Sequence, residues 1–568
     1  MQKQQGRRRM KNKRMAAFLA AWLIVGGMGA AEAAPETAAS QVEQVGQVVG
    51  GQQRRDAETQ AYHESEERLR QEQQKKENGI KYQELPVEPG EDTTTFHLNK
   101  IEFTASEILT KEELASLAAT CEGHDVSMHD IRQLLLNINL KYKEKQYVTA
   151  RAVLPPQKIH DGILQIRLVE GRYGRFIIED NNVTRKGFVL SRIHLKENTL
   201  VRLTDIEKEV IFFNRTNSMQ LQAELRAGEK QGETDCVLHV REPKPWTGTV
   251  YMDNAGSESS GQWRGGLLAT SSNLCGGSEN LMAGVNYTEG TRGGSLSYSQ
   301  PIDTWGTRLG FSYGQNSVHI TDGALSSMHI RGASQDFGVT LQRTLKATQN
   351  VKADSYLDVH HKCSYTDFFS NRLIDLSANT YTLGANLLYN AHGRTVWYTD
   401  LSATLIRASL QSDYTGKSFS RWNLSMLRQQ AFRAGQMLTW RIASQYSPSR
   451  ELPSTERFSL GGMSTVKGFE EGKIYGETGY YTGLEYSVPV WKKQNGRVLF
   501  DIDHGGVQQK FKNGSTQYDY LTSVSFGYSQ NLGKNAFAKV YLSRPVSHSD
   551  SVQKVDDWRV HFYAQINF

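Results

Sequence analysis

Residues Trp558 to Phe568, with the sequence WRVHFYAQINF, end the chain in strict two-residue alternation. One face of this segment is entirely apolar and consists of Trp558, Val560, Phe562, Ala564, Ile566 and Phe568. The side chains between them, from Arg559 to Asn567, carry polar groups. An apolar outer face, a polar inner face and an aromatic last residue are typical of a strand that closes a transmembrane β-barrel. The final segment therefore predicts an all-β barrel with a polar interior.

The same alternation extends back to about Trp246. Between positions 381 and 389, for example, Tyr, Leu and Ala at odd positions alternate with Thr382, Gly384 and Asn386. A soluble β-sandwich would also alternate, but it is usually shorter and needs more frequent Pro and Gly turns. A spanning strand with its turn or loop takes roughly 20 residues, so residues 246–568 predict about 16 antiparallel strands. A barrel of that size encloses a water-filled lumen.

The amino terminus predicts export from the cytoplasm. A basic stretch ending at Arg14 precedes the apolar run Met15 to Ala30, which leads into Ala31-Glu32-Ala33. This run is shorter than the ~20 residues that span a bilayer and contains several glycines, which argues against a single anchoring helix. We expect residues 1–33 to be a cleaved secretory signal peptide.

The charge balance of the remaining chain gives no reason to expect a nucleic-acid partner. The chain has 66 Lys and Arg against 60 Asp and Glu, but seven of these basic residues and one acidic residue lie in residues 1–33. The mature chain therefore carries equal numbers of the two signs. Four cysteines, Cys121, Cys236, Cys275 and Cys363, are too few for a disulfide scaffold in an exported protein of this size.

Residues 34–92 form a polar segment that is almost free of aliphatic side chains. Within it the block 61–77, AYHESEERLRQEQQKKE, favours a helix but has no apolar stripe. Such a block cannot bury itself in an ordinary core. It is either a solvated linker or a polar helix that plugs a polar cavity.

Between residues 93 and 243 a unit of strands and helices occurs twice. In the first copy Phe96, Leu98 and Ile101 are typical of a strand, and Thr110 with Glu113 forms a capping box at the start of a helix. The last strands of the two copies align residue by residue. The sequence predicts two β-α-α-β-β modules, residues 93–173 and 174–243, each of α+β class with two helices on one face of a small sheet.

The order of these elements resembles the two-partner secretion transporters of the outer membrane. This TpsB group contains haemolysin and adhesin activation/secretion proteins and is related to the barrel-assembly insertases. The two modules resemble POTRA domains, and the second contains Phe213-Asn214-Arg215. The barrel opens with a first-strand motif, Asp253, Asn254 and Gly256, similar to the family's D-N-x-G.

The most specific resemblance is LGGMSTVKGFEEG, Leu460 to Gly472. It is similar to the tip of the long sixth extracellular loop, which in the family folds back into the lumen. The loop motif consists of Gly461, Gly462, Val466, Lys467, Gly468 and Phe469. In the family an arginine stands at the position of Lys467 and meets an aspartate of the barrel wall. Lysine keeps the charge of that arginine but lacks its bidentate fork.

LFDIDHGG, Leu499 to Gly506, resembles the strand motif that supplies the aspartate. The aromatic residue that the family has two places before Asp503 is Asp501 here, and Phe500 is shifted by one. Alternation places both aspartates in the lumen and Phe500 and Ile502 toward lipid. We expect Asp503 or Asp501 to pair with Lys467; the alternative is that these charges only hydrate a polar channel. We also expect the closing strand to carry an assembly signal formed by Phe562, Ile566 and Phe568.

The sequence contains no arrangement of residues that predicts catalysis. Thr415-Gly416-Lys417-Ser418 resembles half of a phosphate-binding loop, but Gln411 replaces its upstream glycine. In His360-His361-Lys362-Cys363 only His361 and Cys363 share a strand face, and two ligands do not make a metal site. We expect no enzyme activity, metal, nucleotide or other cofactor.

The resemblance implies an outer-membrane translocator whose POTRA-like modules lie in the periplasm. Its partner would be a large unfolded exported protein of the TpsA type, such as a haemolysin, an adhesin or a contact-dependent toxin, which it secretes through its barrel. The other expected partners are the lipid bilayer with its lipopolysaccharide and the barrel-assembly machinery. Two alternatives are an insertase of outer-membrane barrels and a passive porin, which would lack the POTRA pair and the motif-bearing loop.

Overall fold

The computed structural model describes residues 51, 80–82 and 95–568, apart from 324–325, 370, 392–393, 410–416, 451, 491–495 and 534. The expected signal peptide, residues 1–33, lies outside the described residues. So does nearly all of the polar segment 34–92, including the candidate plug block 61–77. The fold therefore tests neither expectation.

The first α+β unit is built around two capped helices. The elements up to its end are β1 (Lys81–Tyr82), β2 (Thr95–Leu98), β3 (Lys100–Phe103), α1 (Lys111–Ala118), β4 (His124–Ser127), α2 (Met128–Glu144), β5 (Arg151–Val153) and β6 (Ile163–Val169). Thr110 and Ser127 cap α1 and α2, each in a reciprocal capping box with the acidic residue three places on. No helix in the described part of the chain is long and apolar enough to cross a bilayer.

The core of this unit lies between its helices and the sheet β3-β6-β5. Along α2 the side chains of Ile131, Leu134 and Ile138 are almost completely buried and recur every three or four residues. This spacing directs one stripe of the helix onto β6, where Leu164 and Ile166 complete the cluster. The apolar period of the sequence thus fixes which helix face meets the sheet.

The expected first strand is divided in the structure. Phe96 and Leu98 lie in β2, which pairs antiparallel with β4, whereas Ile101 lies in β3, which pairs parallel with β6. Leu98 and Ile101 are an odd number of residues apart, so a single straight strand would direct them to opposite faces. The break at Asn99 allows both side chains to be buried in the same core.

The second α+β unit repeats the order strand, helix, helix, strand, strand. Its elements are β7 (Arg172–Glu179), α3 (Lys186–Leu190), α4 (Leu203–Thr216), β8 (Gln220–Ala227) and β9 (Glu233–Arg241). Tyr173 is buried in the core of this unit with Val210 and Phe213. A boundary between residues 173 and 174 therefore cuts through β7, and the second unit begins at Arg172. The burial partners of Tyr173 are distant in sequence, so the local pattern could not reveal this.

A short segment from before the first unit joins the sheet of the second unit. The order in this sheet is β1-β8-β9-β7, and β1 lies parallel to β8. Lys81 stands opposite Glu224 and Tyr82 opposite Leu225. The outer edge of β8 can therefore pair with an extended main chain.

Sixteen antiparallel strands then close into a barrel, which confirms the predicted fold class. They are β10 (Thr247–Asp253), β11 (Arg264–Ser272), β12 (Asn280–Tyr287), β13 (Thr291–Pro301), β14 (Thr307–His319), β15 (Arg331–Ala347), β16 (Val351–Phe368), β17 (Asn371–Ala391), β18 (Thr395–Ser409), β19 (Ser418–Ala431), β20 (Met437–Tyr446), β23 (Thr478–Val490), β24 (Gly496–Lys510), β25 (Thr516–Leu532), β26 (Ala536–His548) and β27 (Arg559–Asn567). The short strands β21 (Phe458–Leu460) and β22 (Ile474–Gly476) lie within the loop between β20 and β23.

Side chains alternate between the two faces of the barrel wall along each strand. Leu383, Leu401 and Phe526 are exposed on the outside, while the neighbouring Thr404 and Ser525 are buried on the inside. Exposed apolar side chains outside and polar side chains inside are the arrangement of a barrel that sits in lipid around a hydrated lumen. The alternation read from the sequence therefore gives the inside and outside of the wall.

The barrel closes where β10 pairs antiparallel with β27. At the end of this seam the amide of Gly248 donates to the carbonyl of Phe568, and the amide of Phe568 donates to the carbonyl of Gly248, each at 2.9 Å. A Cβ atom at position 248 would overlap the ring of Phe568. Glycine therefore lets the terminal aromatic ring lie across the first strand.

Replacing Phe568 with Ser tests the role of this ring in assembly. The substitution keeps the two main-chain hydrogen bonds but removes a ring contact worth on the order of 1 kcal/mol. We expect less heat-modifiable barrel in outer-membrane fractions. Leu532→Ser is the matched control, because Leu532 is similarly exposed, 57% against 63%, at the end of another strand. Equal amounts of folded barrel from the two variants would contradict the prediction.

Candidate functional site in the barrel lumen

The second α+β unit and the loop between β20 and β23 lie at opposite ends of the barrel. The chain enters β10 directly from the second unit, and the turns after β11, β13 and β15 contact that unit. At the turn after β13, for example, the ring of Trp305 stacks on His194, with 4.1 Å between the ring centroids. The loop of residues 447–477, here called the lumen loop, leaves the wall after β20 at the other end.

The motif Phe213-Asn214-Arg215 links the core of the second unit to the barrel. Phe213 is buried in that core, and the side chain of Asn214 bonds both the amide and the carbonyl of Leu221. Arg215 follows on α4 and donates from Nε to the carbonyl of Thr348 at 3.1 Å and from a terminal nitrogen to the carbonyl of Gln349. The motif therefore fixes the position of the unit against the turn after β15.

Glu242 holds the connection between the second unit and the barrel. Its carboxylate accepts the backbone amides of Asn182, Val183 and Thr184 at 3.0, 2.9 and 2.7 Å. Burial opposes ionisation of this group, but the hydrogen bonds, of which that from Thr184 is the strongest, outweigh it and place the pKa of Glu242 below its usual value. The ionised carboxylate thus anchors the chain close to its entry into β10.

The lumen loop turns into the barrel at two glycines. Gly461 and Gly462 have φ values of 111° and 102°, a backbone conformation that residues other than glycine rarely adopt. Further along, a Cβ atom at Gly468 would lie 2.7 Å from the Cβ of Ser523 and 2.9 Å from the amide nitrogen of Pro545. The glycines of the loop motif therefore permit a sharp turn and close contact with the inner wall at β25 and β26.

Lys467 at the tip of the lumen loop meets both candidate aspartates. Its Nζ lies 3.0 Å from Oδ1 of Asp501 and 2.9 Å from Oδ2 of Asp503, and its backbone amide also donates to Asp503. The side chains of all three residues have no exposed surface. Phe500 and Ile502 point outward on the same strand. The structure therefore brings together both expected partners and not only one of them.

A second cation, which the sequence analysis does not identify, completes the site. A terminal nitrogen of Arg441 on β20 lies 3.0 Å from Oδ2 of Asp501. Lys467, Arg441, Asp501 and Asp503 form what we call the buried tetrad, with two positive and two negative charges. Tyr481 also donates to Asp503 at 2.7 Å. This chain combines a loop lysine with a guanidinium from the wall. The inward parity of Arg441 on β20 was the sequence signal that could have revealed it.

The tip is also held by packing and by the closing strand. Val466 and Phe469 are buried in an apolar cluster with Leu521 of β25. His561 of β27 lies with Nε2 2.6 Å from the carbonyl oxygen of Lys467, to which it donates. Removing one partner of a buried ion pair typically costs ~3 to 5 kcal/mol, because the other charge stays unpaired. The tip is thus fixed to several strands of the wall at once.

The other expected site residues lie at the seam and not in the tetrad. Asp253 is buried and accepts hydrogen bonds from the guanidinium of Arg264. Asn254 bonds the amide of Phe562 and the carbonyl of Val560, which ties the first strand to the last. Gly256 permits a turn that packs against the carbonyl of Gly261. Phe562, Ile566 and Phe568 lie on the outer face of the closing strand.

One cluster of acidic groups in the described part of the chain has the spacing of metal ligands. It consists of Glu258, Glu470 and Asp556. The guanidinium of Arg559 lies 2.7 Å from Glu258 and 2.7 Å from Asp556, and Nζ of Lys473 lies 3.2 Å from Glu470, so protein cations already pair with all three carboxylates. On β16 His361 and Cys363 contact each other at 3.3 Å without a third metal ligand among the described residues.

The chain matches two protein-family models. Residues 232–530 match the haemolysin secretion/activation protein family ShlB/FhaC/HecB, and residues 96–171 match the ShlB-type POTRA domain. Curated relatives include the heme/hemopexin transporter protein HuxB of Haemophilus influenzae strain 86-028NP, 23% identical over 80% of this chain and 84% of that protein. The outer membrane transporter CdiB of Dickeya dadantii is 26% identical over 70% of this chain and 73% of that protein.

Solved structures share the fold. CdiB from Escherichia coli superposes with a TM-score of 0.65 at 19% identity and covers 94% of this chain and 100% of its own. BamA from Haemophilus ducreyi lacking POTRA domains 1–3 has a TM-score of 0.56 at 12% identity, covering 84% and 100%. Both superpositions support the POTRA-plus-barrel architecture. The family match decides between the two kinds of protein, because it assigns the chain to the secretion/activation proteins and not to proteins of the BamA kind. The chain belongs to the ShlB/FhaC/HecB family of haemolysin secretion/activation proteins, the two-partner secretion transporters of the outer membrane.

Proposed function

We propose that this chain captures an unfolded exported protein of the TpsA type in the periplasm and passes it through its barrel to the cell surface. The observation that carries this proposal is a polar sixteen-strand lumen whose motif-bearing loop is fixed inside by a buried, charge-neutral tetrad. A passive porin has no need of such a loop or of the α+β units. The proposed function is transport and not catalysis, and the sites that it requires are sites that bind cargo.

Cargo recognition is proposed to use a strand edge of the POTRA-like units. An extended peptide added to such an edge gains main-chain hydrogen bonds with little demand on its sequence. The outer edge of β8 supports this choice because it already pairs with Lys81 and Tyr82 of this chain. An unfolded cargo segment would pair with the part of this edge that Lys81 and Tyr82 leave open, or take their place beside β8.

Two further partners belong to the membrane. The outward apolar face of the barrel would contact the lipid bilayer and, in the outer leaflet, lipopolysaccharide. The closing strand, with Phe562, Ile566 and Phe568 outward, would be recognised by the barrel-assembly machinery during insertion. The alternative function, an insertase of other barrels, has the likeness to BamA in its favour. Loss of the chain would then deplete unrelated outer-membrane barrels, whereas our proposal predicts loss of one secreted cargo.

The tetrad is proposed to hold the lumen loop in the position that secretion requires. Lys467→Ala leaves two buried carboxylates against one cation, and Asp503→Ala leaves two cations against one carboxylate. Each variant should impair export without loss of barrel, because a buried charge left unpaired costs ~3 to 5 kcal/mol. The double variant restores neutrality and should export no less than either single variant. Lys467→Arg should be tolerated.

The measurement is the amount of cargo secreted by cells that also express a candidate cargo, a large exported protein of the TpsA type. Lys473→Ala is the matched control, because Lys473 lies in the same loop and its ion pair with Glu470 is partly exposed. Such a pair is worth only ~0.2 to 1 kcal/mol, so export should stay normal. Normal export by Lys467→Ala, or single effects that simply add, would contradict a shared function of the tetrad.

Deleting either α+β unit should abolish secretion while the barrel still inserts, because both units precede β10 and neither forms part of the wall. Heat-modifiable barrel in membranes and cargo in the medium are measured together. Loss of cargo with preserved barrel is the expected result. Normal cargo yield from the deletion variants would contradict capture by these units.

A further inference from the structure

The lumen loop carries a second buried charge near its start, away from the tip. Glu456 ends a short 3-10 turn, Ser454–Glu456, and is 1% exposed. Its Oε1 lies 2.9 Å from Nζ of Lys362 on β16, and its Oε2 lies 3.0 Å from a terminal nitrogen of Arg421 on β19. One loop carboxylate therefore joins two cations from two different wall strands.

Lys362 belongs to a sequence motif that metal binding does not explain. It is the third residue of His360-His361-Lys362-Cys363, where alternation turns His361 and Cys363 outward. The inward residues are engaged: His360 bonds Asp336 of the wall at 2.7 Å, and Lys362 reaches the loop. The two inward side chains of this motif therefore form contacts inside the lumen.

Apolar packing places the same part of the loop on the same sector of wall. Leu452 has no exposed surface and packs against Leu376 of β17, Ile406 of β18 and Phe419 of β19. The start of the loop, here called the stem, therefore rests on β16 to β19. The tip rests on β24 to β27. In the order around the barrel these are the seventh to tenth and the thirteenth to sixteenth strands. The strands between them contribute Gln445 to the stem and Arg441 and Tyr481 to the tetrad around the tip, so stem and tip rest on different but adjoining parts of the wall.

The geometry around Glu456 is fixed by its neighbours. The side chain of Gln445 donates to the carbonyls of Glu456 and Glu477 at 3.0 Å each. Arg457 donates to the carbonyl of Leu452 at 2.9 Å and lies 3.1 Å from the carboxylate of Glu477. These bonds hold the stem in one shape, so Glu456 is presented to the wall as part of a rigid unit.

Stem and tip differ in how far water reaches their ion pairs. The side chains of Lys467, Asp501 and Asp503 are completely buried, whereas those of Lys362 and Arg421 are 22% and 15% exposed. A partly hydrated cation can exchange its carboxylate for water at lower cost than a dry one. The stem contact is therefore the easier of the two to break.

We propose that Glu456 is a positioning residue that holds the stem against β16 and β19, and that its release opens the lumen while the tip stays anchored on β24. This inference rests on the proposed function, since it specifies which part of the loop makes way for cargo. The loop would swing from the sector β16–β19 about a tip fixed by the tetrad.

Single-channel conductance of the purified full-length barrel in planar bilayers tests this without cargo. Glu456→Gln keeps the shape of the side chain but removes its charge. A hydrogen bond between charged groups is worth about a tenfold change in an equilibrium, so we expect the fraction of time in the open state to rise about tenfold. Glu456→Asp keeps the charge and should restore most of the closed behaviour.

Asp354→Asn is the matched control. Asp354 is a buried carboxylate on the same strand as Lys362, but its partners, Thr344 at 2.7 Å and Lys352 at 3.5 Å, belong to the wall. Its conductance should equal that of the wild type. Unchanged opening in Glu456→Gln, or equal opening in Asp354→Asn, would overturn the inference. If Glu456→Gln lowers the amount of folded barrel, Lys362→Met decides, because it removes one of the two pairs and leaves Arg421 with the carboxylate.

Secretion separates this inference from the proposed function. If Glu456→Gln opens the pore but the wild-type chain exports no cargo, the proposed function fails and the role of Glu456 stands. If the wild type exports cargo and Glu456→Gln leaves both conductance and export unchanged, the proposed function stands and the inference fails. Glu456→Gln combined with Lys362→Met should open no further than Glu456→Gln alone, because both changes remove the same pair.

Discussion

The structure depends on the burial of four charges between a loop and the wall that surrounds it. Charged groups that are buried away from water are tolerated only when their signs balance and their hydrogen bonds are formed. Lys467 of the loop and Arg441 of the wall meet Asp501 and Asp503 under this condition. Because no single element supplies both signs, the loop can be stable inside the lumen only in one register. A local balance of charge thus fixes where the tip of the loop lies in the lumen.

The barrel makes this arrangement possible, because a sixteen-strand wall leaves room for a folded loop and lines that room with polar side chains. Three further contacts hold the barrel and the second α+β unit in position. Asn254 ties the first strand to the last, Glu242 fixes the chain before β10, and Arg215 fixes the second α+β unit beneath the barrel. The units, the lumen and the loop therefore lie along one path from the periplasm to the surface.

Two-residue alternation in Trp558 to Phe568 was sufficient to predict the barrel, since side-chain direction in a strand is fixed by parity alone. Parity also oriented Asp501 and Asp503. The sequence could not predict that Lys467 meets both aspartates or that Arg441 joins them, because these contacts depend on how far the loop reaches across the lumen. The same holds for Glu456, whose cations lie on strands distant in sequence. The break between Leu98 and Ile101 and the start of the second unit at Arg172 likewise depend on tertiary burial.

The central claim is that cargo passes through the lumen that this loop occupies. Two neighbouring positions on β16 test it most directly: Tyr356 bonds Asp400 inside the barrel, and Leu357 is 44% exposed on the outside. A photoreactive side chain is placed at one position or the other while cargo is stalled during secretion. The account predicts crosslinks to cargo from position 356 and none from position 357. Crosslinks from position 357 alone, or from neither position while cargo still reaches the surface, would contradict it.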